Sequence, residues 1–405
     1  MRKIRFLVLL PLLGACALPA GAGALVKKDP ADASGPLDVA RVGLGQVGRS
    51  LSFEVRTRGK LHPLVLDRDP RRSDARYLCL RLRRSGKEIQ TQLCVGEPGY
   101  GKHSKLGYQK LAASGAVLKR RTVPAKLIRI DGRTLEARFS PHDADLRPHR
   151  YGMRVVSHWA GSECPSRKQL RARRARPCHD IVPNAHPARF RLRPVRPVGC
   201  VDSGPTPVRN GPRGRRVVAL TFDDGPSAYT GQVLSVLNRK HARGTFFEVG
   251  QEIPGRTGTS RAILRSGSEL ADHSMHHENF PSRASMDETA DRIQAATGFR
   301  PCLFRPPGGA YDSRVVSDAH SLGMTTVLWD VDPTDWKRPG ADAIYSRVVS
   351  NTQPGSIVLM HDGGGDRSQT VAALPRIIHT LRARGYRFAT VSHLLGQRTI
   401  WAPVR

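Results

Sequence analysis

Val217-Val218-Ala219-Leu220-Thr221-Phe222-Asp223-Asp224-Gly225-Pro226 is the stretch whose reading decides the fold. A near-uniform run of apolar and small residues passes directly into two adjacent carboxylates and a Gly-Pro turn. A short buried strand that ends in paired acids delivers them to the rim of an α/β sheet or barrel, where loops assemble sites. Two aspartates at such a rim lose hydration and repel each other unless a cation lies between them or an arginine holds one. Asp-Gly-Pro alone also makes an ordinary solvated turn. The choice between the two readings rests on what the rest of the chain brings to the same rim.

Downstream, Asp272-His273-Ser274-Met275-His276-His277 sets His273 and His277 four residues apart. On one helical turn that spacing places both imidazoles on one face; His276 offers an alternative second ligand. Two histidines and one carboxylate leave an open position for water, the pattern of catalytic rather than structural zinc. Phe304-Arg305-Pro306-Pro307-Gly308-Gly309 reads as a strand end running into a rigid turn. Arg305 there can pair with a carboxylate, and Gly308 permits close backbone approach to a ligand. Trp329-Asp330-Val331-Asp332-Pro333-Thr334-Asp335-Trp336 repeats the order of strand, then acids, and the apolar run Ser356-Ile357-Val358-Leu359-Met360 delivers His361. Helical segments are expected between these strands, at 230–241, 256–265, 285–297, 313–322, 342–351 and 369–384. The last carries an apolar stripe of Val371, Leu374, Ile378 and Leu381, and its Pro375 argues against one unbroken helix. Strands that end in ionisable residues and alternate with helices give the pattern of an α/β barrel.

Five motifs in this order make residues 217–395 similar to the catalytic domain of the polysaccharide deacetylase family (carbohydrate esterase family four). The phrase from His361 through Asp362-Gly363-Gly364-Gly365-Asp366 to Thr370 also reads as members of that family do. The resemblance covers a little under half the chain. It implies a distorted, incomplete (β/α) barrel and a divalent metal, zinc first, bound by Asp224, His273 and His277. It implies Asp223 as general base, held ionised and oriented by Arg305, and His361 as general acid, partnered by Asp335. The backbone N–H of Gly308 and the metal would serve the oxyanion, Trp336 and Leu359 would wall the pocket for the acetyl methyl, and Asp332 would lend support from behind. Two departures bear on substrate. Gly308 stands where the family often has Tyr, which removes a sugar-stacking ring and keeps the backbone donor. The span from His277 to Arg305 is shorter than usual, which reshapes the groove.

The implied reaction is removal of N-acetyl groups from an N-acetylglucosamine-containing glycan, peptidoglycan ahead of a chitin-like polymer. The same motifs serve O-acetyl ester hydrolysis, as in an acetylxylan esterase. A non-catalytic wall glycan-binding protein is a third reading, and retention of both base and acid counts against it.

The 405 residues suffice for two domains with proper cores. Basic residues at Arg2, Lys3 and Arg5 followed by an apolar run to Leu13 read as an export signal over residues 1–24. Leu13-Gly14-Ala15-Cys16 resembles a lipobox, which would leave a lipidated Cys16, whereas Ala22-Gly23-Ala24 resembles an ordinary cleavage site; both stay open. Of seven cysteines, six remain after Cys16, and in an exported chain these are expected as three bridges. Proximity in sequence pairs Cys79 with Cys94 and Cys164 with Cys178, leaving Cys200 with Cys302.

Residues 1–216 carry 45 Lys and Arg against 16 Asp and Glu, and residues 217–405 carry 21 against 18. The basic excess therefore lies outside the catalytic segment and suits association with an anionic cell envelope. No nucleic-acid partner is expected, since no binding motif accompanies the charge. Residues 25–37 read as a tether, 38–195 as a basic β-rich domain of sandwich type, 196–216 as a linker and 396–405 as a tail. The β-rich reading rests on alternation such as Leu51, Phe53, Val55 and Leu78, Leu80, Leu82. A basic stretch with Arg167, Lys168, Arg171, Arg173, Arg174 and Arg176 lies between Cys164 and Cys178.

Overall fold

The computed structural model describes residues 24–61, 66, 76–96, 104–160, 164, 170 and 177–404. They fall into two compact units, Met1–Val195 with Pro403–Arg405, and Arg196–Ala402. Residues 1–23 of the expected export signal, with Cys16, and the six basic residues between Cys164 and Cys178 lie outside the described residues. Among the described residues, no helix is long and apolar enough to cross a membrane.

The first unit is an antiparallel β structure. Its strands are β1 (Leu25–Lys28), β2 (Val39–Val47), β3 (Ser50–Thr57), β4 (Tyr77–Arg84), β5 (Gln90–Val95) and β6 (Lys105–Leu111). They continue with β7 (Val117–Arg129), β8 (Thr134–Phe139), β9 (His149–His158), β10 (His179–Val182) and β11 (Ala188–Leu192). The expectation of a sandwich needs correction: the strands form one continuous sheet, in the order β1-β2-β3-β8-β7-β6-β5-β4-β9-β10, with β11 on β9. The reason is the length of β7. Its first part pairs with β6 as far as Pro124, and Ala125–Arg129 pairs with β8, so a single strand serves both halves. The halves enclose one apolar core that takes Leu44, Phe53 and Leu135 from one side and Leu80, Leu93 and Val155 from the other. The ends of the strand path meet: Gln46 donates to the Arg193 carbonyl and accepts from the Arg193 N–H, at 2.8 and 2.9 Å. Residues 25–37 are not a free tether, because β1 pairs with β2 and Ala33 and Leu37 are buried. Cys79 and Cys94 are register partners on β4 and β5 and form a disulfide, as do Cys164 and Cys178.

The second unit begins with β12 (Val195–Cys200) and alternates strand and helix. In order it holds β13 (Val217–Gly225), α1 (Thr230–Arg239), β14 (Gly244–Glu248), α2 (Thr257–Arg265), β15 (Glu269–Asp272), α3 (Arg283–Thr297), β16 (Leu303–Phe304) and α4 (Ser313–Ser321). There follow β17 (Thr325–Thr326), α5 (Ala341–Asn351), β18 (Ile357–His361), α6 (Ser368–Ala383), β19 (Arg387–Phe388), α7 (Val391–Leu394) and β20 (Thr399–Pro403). The main strands lie parallel in the order β17-β16-β15-β14-β13-β18. The chain leaving β17 crosses back, and Val331 bridges to Val358 of β18, so the sheet curls into an irregular half-barrel. β13 is buried along its apolar length because helices cover it outside and Phe247, Ala271 and Leu303 fill the interior.

Helix α6 runs unbroken through Pro375, against the sequence expectation. Burial of Ala373, Leu374, Ile377, Ile378 and Leu381 on one face outweighs the lost backbone donor. Residues 196–216 are not a free linker: β12 pairs with β20, Val208 bridges Val327, and Cys200 is bonded to Cys302. The segment 396–405 likewise contains a strand, β20.

Candidate active site

Strand register builds the site. On the parallel pair β13 and β18, Asp223 stands opposite His361. On the other side, Asp272 of β15 stands opposite Phe304 of β16, so His273 and Arg305, one residue further on, leave their strands at matching levels. Four chain segments thus present ionisable side chains at one end of the half-barrel.

Arg305 is wholly buried. Its Nη1 donates to Asp223 Oδ1 at 2.7 Å and to Thr221 Oγ1 at 2.8 Å, while Nε and Nη2 donate to the carbonyls of Val327 and Leu328 at 3.3 and 3.1 Å. Phe247 lies under the guanidinium at 4.1 Å from its ring centroid. Burial lowers the Arg305 pKa and Asp223 counteracts it. A buried charge of this kind is tolerated when paired and hydrogen-bonded, and each nitrogen of Arg305 has at least one partner.

Asp224, His273 and His277 place one ligand atom each within 4.8 Å of one another. His273 Nε2 and His277 Nε2 approach Asp224 Oδ1 at 3.4 and 3.2 Å. His273 Nδ1 lies 2.8 Å from the Arg305 carbonyl, which fixes that nitrogen as donor and turns the Nε2 lone pair toward Asp224. The helix expected over His273 and His277 is absent. The histidines lie on a loop after β15, and Ser274 and His277 adopt left-handed conformations with φ of 66° and 58°. The convergence is the same, with ring centroids 5.1 Å apart, but backbone turns make it rather than helical periodicity. The loop also decides between His277 and His276, since His276 Nδ1 is taken by Gln251 Oε1 at 2.9 Å.

The donor set fits a divalent metal on a further count. Asp224 Oδ1 is buried with no hydrogen-bond partner, an arrangement that costs energy unless something else satisfies it.

Across from Asp223, His361 Nδ1 lies 2.7 Å from Asp335 Oδ1, and the His361 N–H donates to Asp335 Oδ2 at 2.9 Å. Thr370 Oγ1 donates to the same Oδ2 at 2.7 Å. Burial lowers the His361 pKa, but the bond to Asp335 and the charges of Asp335, Asp223 and Asp224 raise it further, so the net direction is up. The imidazole is thereby biased toward its protonated form, with Nδ1 committed to Asp335.

The remaining candidates divide. Gly308 has φ of 61°, a conformation open to glycine that sets its backbone apart from the strand direction. Leu359 is buried, and Trp336 is half exposed on the short turn after Asp335. Asp332 is exposed and caps its own turn by accepting from the Thr334 N–H at 2.6 Å, which removes it from the group.

Sequence reasoning quoted Thr221, Asp362, Gly364 and Thr370 but gave none of them a role. A Cβ on Gly364 would collide with Asp224 Oδ2, and buried Arg367 holds this glycine turn by donating to the carbonyls of Gly363 and Gly364 at 2.6 and 2.9 Å. Asp362 is fully buried against Gly225, and burial, with Asp223 and Asp224 nearby, pushes it up to about 7. The clustering of three glycines after His361-Asp362 was the available signal, because such a run permits close packing against a carboxylate.

Comparison with known proteins gives this geometry a setting. Residues 210–327 match the family described as Polysaccharide deacetylase. The chain is 42% identical over 193 residues to the peptidoglycan-N-acetylglucosamine deacetylase of Bacillus cereus, covering 45% of this chain and 90% of that protein. It is 36% identical over 187 residues to a chitooligosaccharide deacetylase of Sinorhizobium fredii, covering 42% of this chain and 87% of that protein. Among solved structures, the Bc1960 peptidoglycan N-acetylglucosamine deacetylase in complex with 4-naphthalen-1-yl-N-oxidanyl-benzamide has a TM-score of 0.46 at 30% identity, covering 47% of this chain and 92% of that one.

Proposed function

This chain belongs to the polysaccharide deacetylase family, and on that premise we propose that it is an exported, metal-dependent hydrolase removing N-acetyl groups from N-acetylglucosamine units of peptidoglycan. The observation that carries the reading is the pairing of Asp223 and His361 at one register, each held by its own partner, beside the Asp224, His273 and His277 group.

Asp223 serves as the general base. Its Oδ1 is committed to Arg305, and Oδ2, which lies 3.8 Å from His273 Nε2 on the side of the ligand group, takes the proton of the attacking water. A divalent ion held by Asp224, His273 and His277, zinc first, would supply Lewis-acid polarisation of the acetyl carbonyl. The Gly308 N–H is the proposed backbone donor to the developing oxyanion, with Leu359 and Trp336 as walls of the acetyl pocket. His361, kept protonated through Asp335, gives its Nε2 proton to the departing amine. The relatives named for peptidoglycan and chitooligosaccharides support an acetamido sugar over acetylated xylan. The basic excess of residues 1–216 supports retention at an anionic envelope.

The test is acetate release from peptidoglycan, chitooligosaccharides and acetylated xylan, before chelation, after it and with zinc restored. Zinc-restorable release from peptidoglycan is expected; release from xylan alone would replace the amide reading with the ester one.

A further inference from the structure

Four aspartates converge in the N-terminal unit, in residues that take no part in the proposed chemistry. Asp29 follows β1, Asp32 and Asp38 lie on the connection from β1 to β2, and Asp180 lies on β10. One carboxylate oxygen of each lies within 4.8 Å of the others. Asp38 and Asp180 are buried, Asp32 is half-buried, and Asp29 is only 8% exposed.

Among the described residues, individual oxygens of the group lack partners. Asp29 Oδ2 and Asp32 Oδ1 accept no hydrogen bond. Other oxygens of the group are tied to its edges: Asn184 Nδ2 donates to Asp32 Oδ2 at 2.6 Å, and the Val39 N–H donates to Asp180 Oδ2 at 2.8 Å. Arg58 Nε lies 3.2 Å from Asp38 Oδ2 and brings positive charge to one side. Burying an unpartnered carboxylate oxygen is costly, and here two sit in a cluster of four like-charged groups.

We propose that Asp29, Asp32, Asp38 and Asp180 bind a divalent cation, calcium, which ties the β1–β2 connection to β10. The donors are all oxygen, with no imidazole or thiolate, which selects a hard cation. Calcium accepts six to eight oxygens at about 2.3–2.6 Å, so ligands on opposite sides of it lie about 5 Å apart, the span these four offer. Magnesium demands a tighter octahedron at about 2.0–2.1 Å. The ion would stand where the strand path closes, since Asp180 also fixes the start of β2 through Val39. The proposal is independent of the deacetylase reading.

The test uses the full chain and calcium chloride or magnesium chloride alone, read by equilibrium dialysis and thermal unfolding. A His273→Ala/His277→Ala variant serves as background, so that the catalytic group is not counted. One calcium per chain is expected in both wild type and background. Tm should rise by roughly 5–10 °C when calcium is about one hundred times its dissociation constant. Asp29→Asn/Asp180→Asn should bind none and show no calcium-dependent rise. Should that variant not fold, Asp32→Asn, at the half-buried ligand, should weaken binding by about tenfold. Absence of bound calcium in the wild type, undiminished binding in the aspartate variants, or loss confined to the histidine variant would each overturn the proposal. Magnesium binding of equal strength would overturn the assignment to calcium.

Discussion

Asp223 and His361 are register partners on adjacent parallel strands, β13 and β18. In a parallel pair, residues at one register project to the same face, so a carboxylate and an imidazole leave the sheet side by side. Their supports differ in kind. Asp223 is held by a buried arginine at 2.7 Å, and His361 by a buried aspartate at 2.7 Å. One group is thereby oriented by a cation and the other by an anion.

Asp223→Asn should retain metal, because Asp224, His273 and His277 are left intact, and should lose acetate release by about 10²–10⁴-fold. Metal content measured beside turnover checks it. Loss of metal together with activity would contradict the division of labour between the two acids.

Asp335→Asn should move the basic limb of the pH–rate profile to lower pH. Asp335 is the main group raising His361 against burial, so without it the protonated imidazole is lost earlier as pH rises. The same sign governs stability. A histidine raised in the folded state contributes fully below its ordinary value near 6.5, and the contribution fades as pH rises through the elevated folded value. Chemical denaturation at several pH values should show that contribution in the wild type and a smaller one in the variant.

Arg305→Met leaves Asp223 buried without its cation and strips Thr221 of a donor. Breaking a buried pair from one side costs about 3–5 kcal/mol, to be read by urea unfolding of the full chain. Arg305→Lys should not restore it, since one ammonium cannot reproduce the fork that reaches Asp223, Thr221 and two carbonyls.

Gly364→Ala should weaken metal retention by about 10–100-fold in a chelator competition, because the new methyl meets Asp224 Oδ2 and φ at this residue is 68°. Unaltered competition would show that the glycine turn does not bear on the ligand.

Removing the Cys200–Cys302 bridge, which closes a separation of 102 residues, should destabilise the second unit by about 2–5 kcal/mol. Thermal unfolding of Cys200→Ala/Cys302→Ala measures it.

Much of the half-barrel was legible because its signals are local. Buried strands that end in acids, and apolar stripes at helical spacing, are properties of ten or fifteen consecutive residues. Pro375 misled because its local cost is real, but five buried residues on the same face of α6 outweigh it. The tether and linker readings failed for a related reason. Polar, proline-containing segments look unstructured until a strand partner supplies their hydrogen bonds, as β2 does for β1 and β20 does for β12.

The sequence by itself determined the chemistry available: two adjacent acids on a strand, histidines at a short spacing, an arginine beside prolines, a histidine closing a strand, and six cysteines that can pair. Only the tertiary structure decided how these meet. It set His277 rather than His276 toward Asp224, made a loop rather than a helix of their connection, and placed Asp223 opposite His361. It also brought Asp180 to Asp29, although nothing near either residue announces the other. The physical reason is that residue type and periodicity are written along the chain, whereas strand register and the closure of a sheet are settled by pairings between distant segments.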